Sequence, residues 1–162
     1  MLLRRPWRLI TFADACRMAG QLPAALGHLA EAHRLAEETG NRCYQVETLR
    51  LRGDVLLAIG DRTGAEASYG EALALARKQN ARLWELRTAM SLARLWREQG
   101  QSIAAHELLA PVYGRFTEGF GTPVLREAKA ALAELGYGLG HTGDPRNGPP
   151  RPAVRGRYRS RQ

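Results

Sequence analysis

Six sets of positions recur at a spacing of forty residues, and this period narrows the possible folds more than any other feature of the chain. Gly20, Gly60 and Gly100 form one set, and Ala25, Ala65 and Ala105 another. The same offset aligns Leu29 with Tyr69 and Leu109, Ala32 with Ala72 and Val112, Ala13 with Gly53 and Ala93, and Cys16 with Leu56 and Trp96. A self-similar period in the range of roughly 20–50 residues marks a repeat architecture, in which each unit buries its apolar face on its neighbours.

Each copy reads as two helices. In the second, "QVETLRLRGDVLLAI" ends at Gly60, a residue suited to the left-handed turn that follows a helix, and Asp61 is placed to cap "RTGAEASYGEALALARKQ". In the third, Gly100 ends one helix and Ser102 caps the next; in the first, Gly20 ends a helix and Pro23 falls in the opening turn of its successor. Alanine or glycine at 13/53/93 and at 25/65/105 lets the two helices of a pair approach closely, Ala32 and Ala72 do the same for the next pair, and the bulkier sets fill the gaps. The expectation is an all-α solenoid of three helix pairs, at about 9–40, 41–80 and 81–120.

The stretch "LLAPVYGRFTEGFGTP" ends the pattern. Pro111 takes the place of Glu31 and Glu71 inside a helix, where it removes a backbone hydrogen bond and loosens the turn. Arg115 replaces Leu35 and Leu75, "TEGFG" reads as a turn, and Thr122–Pro123 restarts a helix as cap and first residue. Leu125, Ala128, Leu132 and Leu135 then form one apolar stripe, so 123–136 is expected to be a helix that caps the last pair. A phosphate loop needs a lysine after its glycines, and none follows here. At the other end, Trp7, Leu9, Ile10 and Phe12 make the opening helix apolar on more faces than one partner helix covers. Such an end expects either a further repeat before it, which makes the chain the tail of a longer solenoid, or an N-terminal segment folded back as a cover.

Composition matters mainly for where the charge lies. The net charge is +8, but residues 13–136 hold 15 basic and 15 acidic side chains and are neutral. The excess comes from Arg4, Arg5 and Arg8 in a basic N-terminus, 1–8 of which reads as irregular, and from the six arginines of 137–162, opposed only by Asp144. That C-terminal segment is rich in glycine, proline and arginine and reads as a disordered tail. The repeat domain is therefore 9–136. Nucleic-acid binding would use the basic ends alone, with Tyr158 among the tail arginines, by counterion release. The rival reading is an extension without function: 22 arginines against 2 lysines is what GC-rich coding produces. No run reaches the length of a membrane span, and Asp14 and Arg17 interrupt any signal-peptide core, so the expected location is cytoplasmic. Cys16 and Cys43 fit it as lone apolar thiols.

Gly53, Ala65 and Ala72, with Tyr69 at the bulky place between, resemble the tetratricopeptide repeat, although Arg52 stands where that family prefers an apolar residue and the period is forty rather than about thirty-four. A narrower resemblance runs through "LRLRGDVLLAIGDRTGAEASYGEALALARKQNARLWELRTAMSLARLWREQG" and on into "LLAPVYGRFTEGFGTP". This looks like the C-terminal region of large bacterial signalling proteins that join a class III adenylate/guanylate cyclase domain or a regulatory domain to a predicted signal-transduction ATPase and then to tetratricopeptide-like repeats. It covers 40–136 closely and 9–39 more loosely. The resemblance implies a sensing or scaffolding segment, a protein or peptide partner or neighbouring domains of a longer chain, and no catalysis here.

The residues themselves offer no reaction centre, cofactor site or metal site. His28 and His33 are five apart rather than the four that put two ligands on one helical face, His106 and His141 are isolated, and Ser68, Ser91, Ser102 and Ser160 sit in no elbow or triad context. Glu37 and Glu38 read as a solvated face. In tetratricopeptide proteins the first helix of each pair lines the concave surface. The resemblance thus implies Glu47, Arg50, Asp54 and Leu57 there from the second pair, and Arg87, Met90, Arg94 and Arg97 from the third. Arg87, Arg94 and Arg97 fall along one side of a helix, a strip fit for an acidic peptide or a terminal carboxylate. The alternative is that these arginines pair with Glu85, Glu98 or acids of neighbouring helices.

Overall fold

The computed structural model describes residues 5–40, 42 and 44–140, and these contain helices and no strand. Seven helices follow one another among them: α1 (Arg5–Met18), α2 (Leu22–Thr39), α3 (Gln45–Ile59), α4 (Arg62–Lys78), α5 (Arg82–Glu98), α6 (Ser102–Gly114) and α7 (Pro123–Gly140). Cys43, His141 and the rest of the expected tail lie outside the described residues.

The forty-residue period is visible bond by bond in the turns. Gln21, Asp61 and Gln101 donate their amides to the carbonyls of Cys16, Leu56 and Trp96 at 2.8, 2.9 and 2.8 Å. Between donor and acceptor, Gly20, Gly60 and Gly100 take φ of 75°, 97° and 80°, a region open to glycine at little cost. A second pair, not read from the sequence, follows α2 and α4: Gly40 and Asn80 take φ of 64° and 51°. Asparagine is the side chain best tolerated there after glycine.

Three expected boundaries shift. Ser102 is the first residue of α6 rather than its cap; Gln101 precedes the helix and makes no side-chain capping bond, in contrast with Asp61, whose Oδ1 accepts from the Gly64 amide at 2.8 Å. The supposedly irregular 1–8 already contains helix from Arg5, because Pro6 fits the first turn and Trp7 lies 5.6 Å from the ring of Tyr44, the residue before α3. At the other end α7 runs to Gly140, past the expected stop at 136. Each of its late glycines costs a helix only about 1 kcal/mol, and Leu135, 2% exposed, anchors the turn before them.

Each helix packs on the next, and α1, α3, α5 and α7 also touch one another in a row, whereas the even-numbered helices do not among the described residues. The architecture is an all-helical, repeat-like arrangement of two layers. Its close approaches use the small residues: Ala13, Ala25, Ala32, Ala65, Ala72, Ala93 and Ala105 are all buried. Gly53 has no substitute, since a Cβ there would lie within 3 Å of three atoms of the Tyr69 ring. Leu29, Tyr69 and Leu109 fill the core, while Cys16, Leu56 and Trp96 are half-buried, with the Trp96 indole donating to Glu66 at 2.8 Å. Pro111 sits inside α6, which continues past it to Gly114 with Leu109 and Val112 buried on either side. Of the apolar residues opening α1, Ile10 is buried and Leu9 half-buried, while Trp7 and Phe12 remain about half exposed. No described helix is long and apolar enough to cross a membrane.

Candidate functional site

The row of odd-numbered helices borders a cleft of about 590 Å³. It contains six of the positions expected to face a partner: Arg50, Asp54 and Leu57 from α3, and Arg87, Met90 and Arg94 from α5. Glu47 lies beneath them, 5% exposed. Arg97 is outside the cleft lining, farther along α5. To these the structure adds Asp14 and Arg17 from α1, Tyr69 from α4, and Val124 and Glu127 from α7. Asp14 and Arg17 are forty residues before Asp54 and Leu57, and Glu127 is forty after Arg87, so the period itself pointed to all three.

Five side chains of α3, α4 and α5 form one connected chain at the cleft. Arg50 is held by both oxygens of Glu47 at 2.8 Å and by Asp54 at 2.7 Å. Glu47 also meets Arg87 at 3.2 Å, and the Tyr69 hydroxyl donates to the other oxygen of Asp54 at 2.6 Å. Buried ions are tolerable only when paired and hydrogen-bonded like this. Burial disfavours the Arg50 cation, yet the bonds and charges of Glu47 and Asp54 outweigh it and hold its pKa above the ordinary arginine value. Tyr69 is pushed well above the usual phenol range, first by burial and then by Asp54, whose charge and hydrogen bond both favour the protonated form.

The expected basic strip is paired along its length. Besides Arg87 with Glu47, Arg94 meets Glu127 at 3.7 Å and Arg97 meets Glu134, both acids coming from α7. Glu85 is not their partner: it is buried and binds Arg77 and Arg115 instead. Four arginines line the cleft, at 17, 50, 87 and 94, against four acids, at 14, 54, 98 and 127, and the buried Glu47 beneath adds a fifth acid, so the site carries one net negative charge.

No protein-family model, curated protein or solved structure matches the chain. What the cleft can do follows from its own chemistry. The Ser91 hydroxyl has as its charged neighbour a guanidinium, Arg50 at 3.4 Å, which cannot act as a base, and the Tyr69 hydroxyl already donates to Asp54 at 2.6 Å. No group of three or more histidine, cysteine, aspartate or glutamate side chains suited to a metal occurs among the described residues. The ring of His28 lies 6.1 Å from Phe12, and His33 belongs to a different cleft, so the two histidines have separate surroundings. Leu57, Met90 and Val124 give the cleft apolar surface among its charged side chains.

Proposed function

We propose that this chain is a non-catalytic helical-repeat module of tetratricopeptide-like solenoid type, which binds a protein or peptide segment along its odd-numbered helices. In this reading it serves as the interaction or regulatory part of a bacterial signalling protein of the cyclase- and ATPase-linked kind. The observation that carries the binding role is the cleft of about 590 Å³ running along the row α1, α3, α5, α7. The forty-residue spacing of caps and small residues supports the repeat type. The place in signalling rests on the resemblance of the sequence alone.

Arg94 tests the binding role, since it lies in the cleft and its side chain is 54% exposed, so a change there leaves the core intact. Partners captured from a bacterial lysate by the intact chain are verified with purified components, and Arg94→Glu is then measured against the same partner. The expected result is affinity at least about tenfold weaker, as for a charge reversal at a contacting rim position. Unchanged affinity would rule this face out as the binding site.

A further inference from the structure

The acids that hold Arg94 and Arg97 both come from α7, and this carries an inference that rests on reading the cleft as a peptide site. Glu127 and Glu134 are seven residues apart, two helical turns, so they share one edge of α7 about 10 Å apart. They reach the two arginines that continue the strip from the cleft along α5. All four side chains are 41–61% exposed, in contrast with Arg50 at 11% and Glu47 at 6%. Pairs as exposed as the first are screened by water and salt and exchange readily, whereas the Glu47–Arg50–Asp54 chain is fixed by burial.

We propose that the Glu127–Glu134 edge of α7 is a built-in stand-in for an acidic partner segment. In the free protein it occupies Arg94 and Arg97; a partner with carboxylates at similar separation takes its place. The charge balance supports this. With Glu127 in place the cleft and the Glu47 beneath it carry one net negative charge, and once Glu127 swings aside they are neutral, with Arg94 and Arg97 left to a partner's carboxylates. Of the remaining cleft acids, Asp14 is held by Arg17 at 2.7 Å and Asp54 by Arg50 and Tyr69, so the carboxylate that faces a ligand is Glu98. It lies one turn from Arg94 and disfavours a densely acidic ligand over one whose acids are spaced. The fitting partner is a peptide segment with two acids about 10 Å apart: seven residues apart if helical, three if extended.

The test uses the full chain and a fluorescein-labelled peptide with glutamate at every third position, followed by fluorescence polarisation at low ionic strength. Glu127→Gln with Glu134→Gln is expected to tighten binding about five- to tenfold over the unaltered chain. Glu107→Gln with Glu118→Gln makes the same change of net charge away from the cleft and is expected to leave affinity unchanged. Adding Arg94→Gln and Arg97→Gln to the first variant is expected to return binding to the starting level or below. Equal tightening in the two glutamate variants would overturn the inference, since net charge alone would then explain it. Binding by all versions with equal affinity would overturn it too, while leaving the cleft as a peptide site. If no version binds, the reading of the cleft as an acid-recognising site falls, and this inference with it. Helical circular dichroism of each variant confirms that the fold is retained.

Discussion

Tyr69 joins core and cleft in one side chain. Its ring fills the space that Gly53 leaves, and its hydroxyl donates to Asp54 at the base of the cleft. Burial and Asp54 hold its pKa above the ordinary value of about 10. As pH rises past that value, a tyrosine in the unfolded chain loses its proton while the native one keeps it. The unfolded state then binds fewer protons, so this residue's contribution to stability is complete below about pH 10 and declines above it, by about 1.4 kcal/mol per pH unit. Tyr69→Phe has no proton to lose in either state. It should cost about 1 kcal/mol at neutral pH through the lost hydrogen bond and flatten the alkaline decline, as read from urea unfolding on both sides of pH 10. Parallel pH dependence in the two proteins would disprove the assignment. At this scale the sequence was only half legible. Glu47, Arg50 and Asp54 fall at three- and four-residue spacings, and their contact on one helix face follows directly. The pairing of Arg94 and Arg97 with Glu127 and Glu134 crosses between helices: the period places the two acids forty residues after Arg87 and Arg94 but does not say which side chains meet.

Helix α6 is the element in which the repeat breaks down. Pro111 stands where the earlier copies have Glu31 and Glu71, and it is exposed, so packing does not require its ring. The helix continues past it, held by Leu109 and Val112, without the amide that would reach the Glu107 carbonyl. Pro111→Ala restores that donor. Because only Val112, Tyr113 and Gly114 follow in the helix, the gain should be well below the roughly 3 kcal/mol of a mid-helix proline, about 1–2 kcal/mol, or about 3–8 °C in Tm. An unchanged or lower Tm would show that the ring holds the turn before α7 in place. Element boundaries were legible where a residue type has one dominant use. Gly20, Gly60 and Gly100 fixed three turns, and Asp61 fixed a cap. They were misread where a residue has two uses: Ser102 is a good cap but also a tolerable first helical residue, and the glycines after Leu135 suggest a break that the anchored helix overrides. Asn80 hid the second pair of turns because it shares its conformation with Gly40 but not its name.

For the whole molecule, what counts is how strongly the helix pairs are coupled. Stability in a repeat-like stack is close to a sum of unit and nearest-neighbour terms, so unequal junctions give unequal local stability. Between the second and third pairs, Leu73 and Leu92 are buried at 5% and 4% exposure. Forty residues earlier the same places hold His33 and Arg52, both exposed, beside a cleft of about 430 Å³ floored by Leu26, Leu29 and Leu49. The first junction therefore keeps the contacts of Leu51 and Val55 with α1 and α2 but lacks the outer seal that the second one has. Native-state hydrogen exchange should find the amides of α1 and α2 opening at lower free energy than those of α5 and α6. His33→Leu with Arg52→Leu copies the chain's own second junction onto the first. Burying two leucine side chains is worth at most about 3–6 kcal/mol, and partial burial in an open cleft should deliver about half. The gain should appear in the exchange of α1 and α2, with α5 and α6 little changed, because added coupling is felt by the pair that gains it. Equal opening free energies across all helices in the unaltered chain would mean that it unfolds as one unit, and the leucine pair would then raise every protected amide alike.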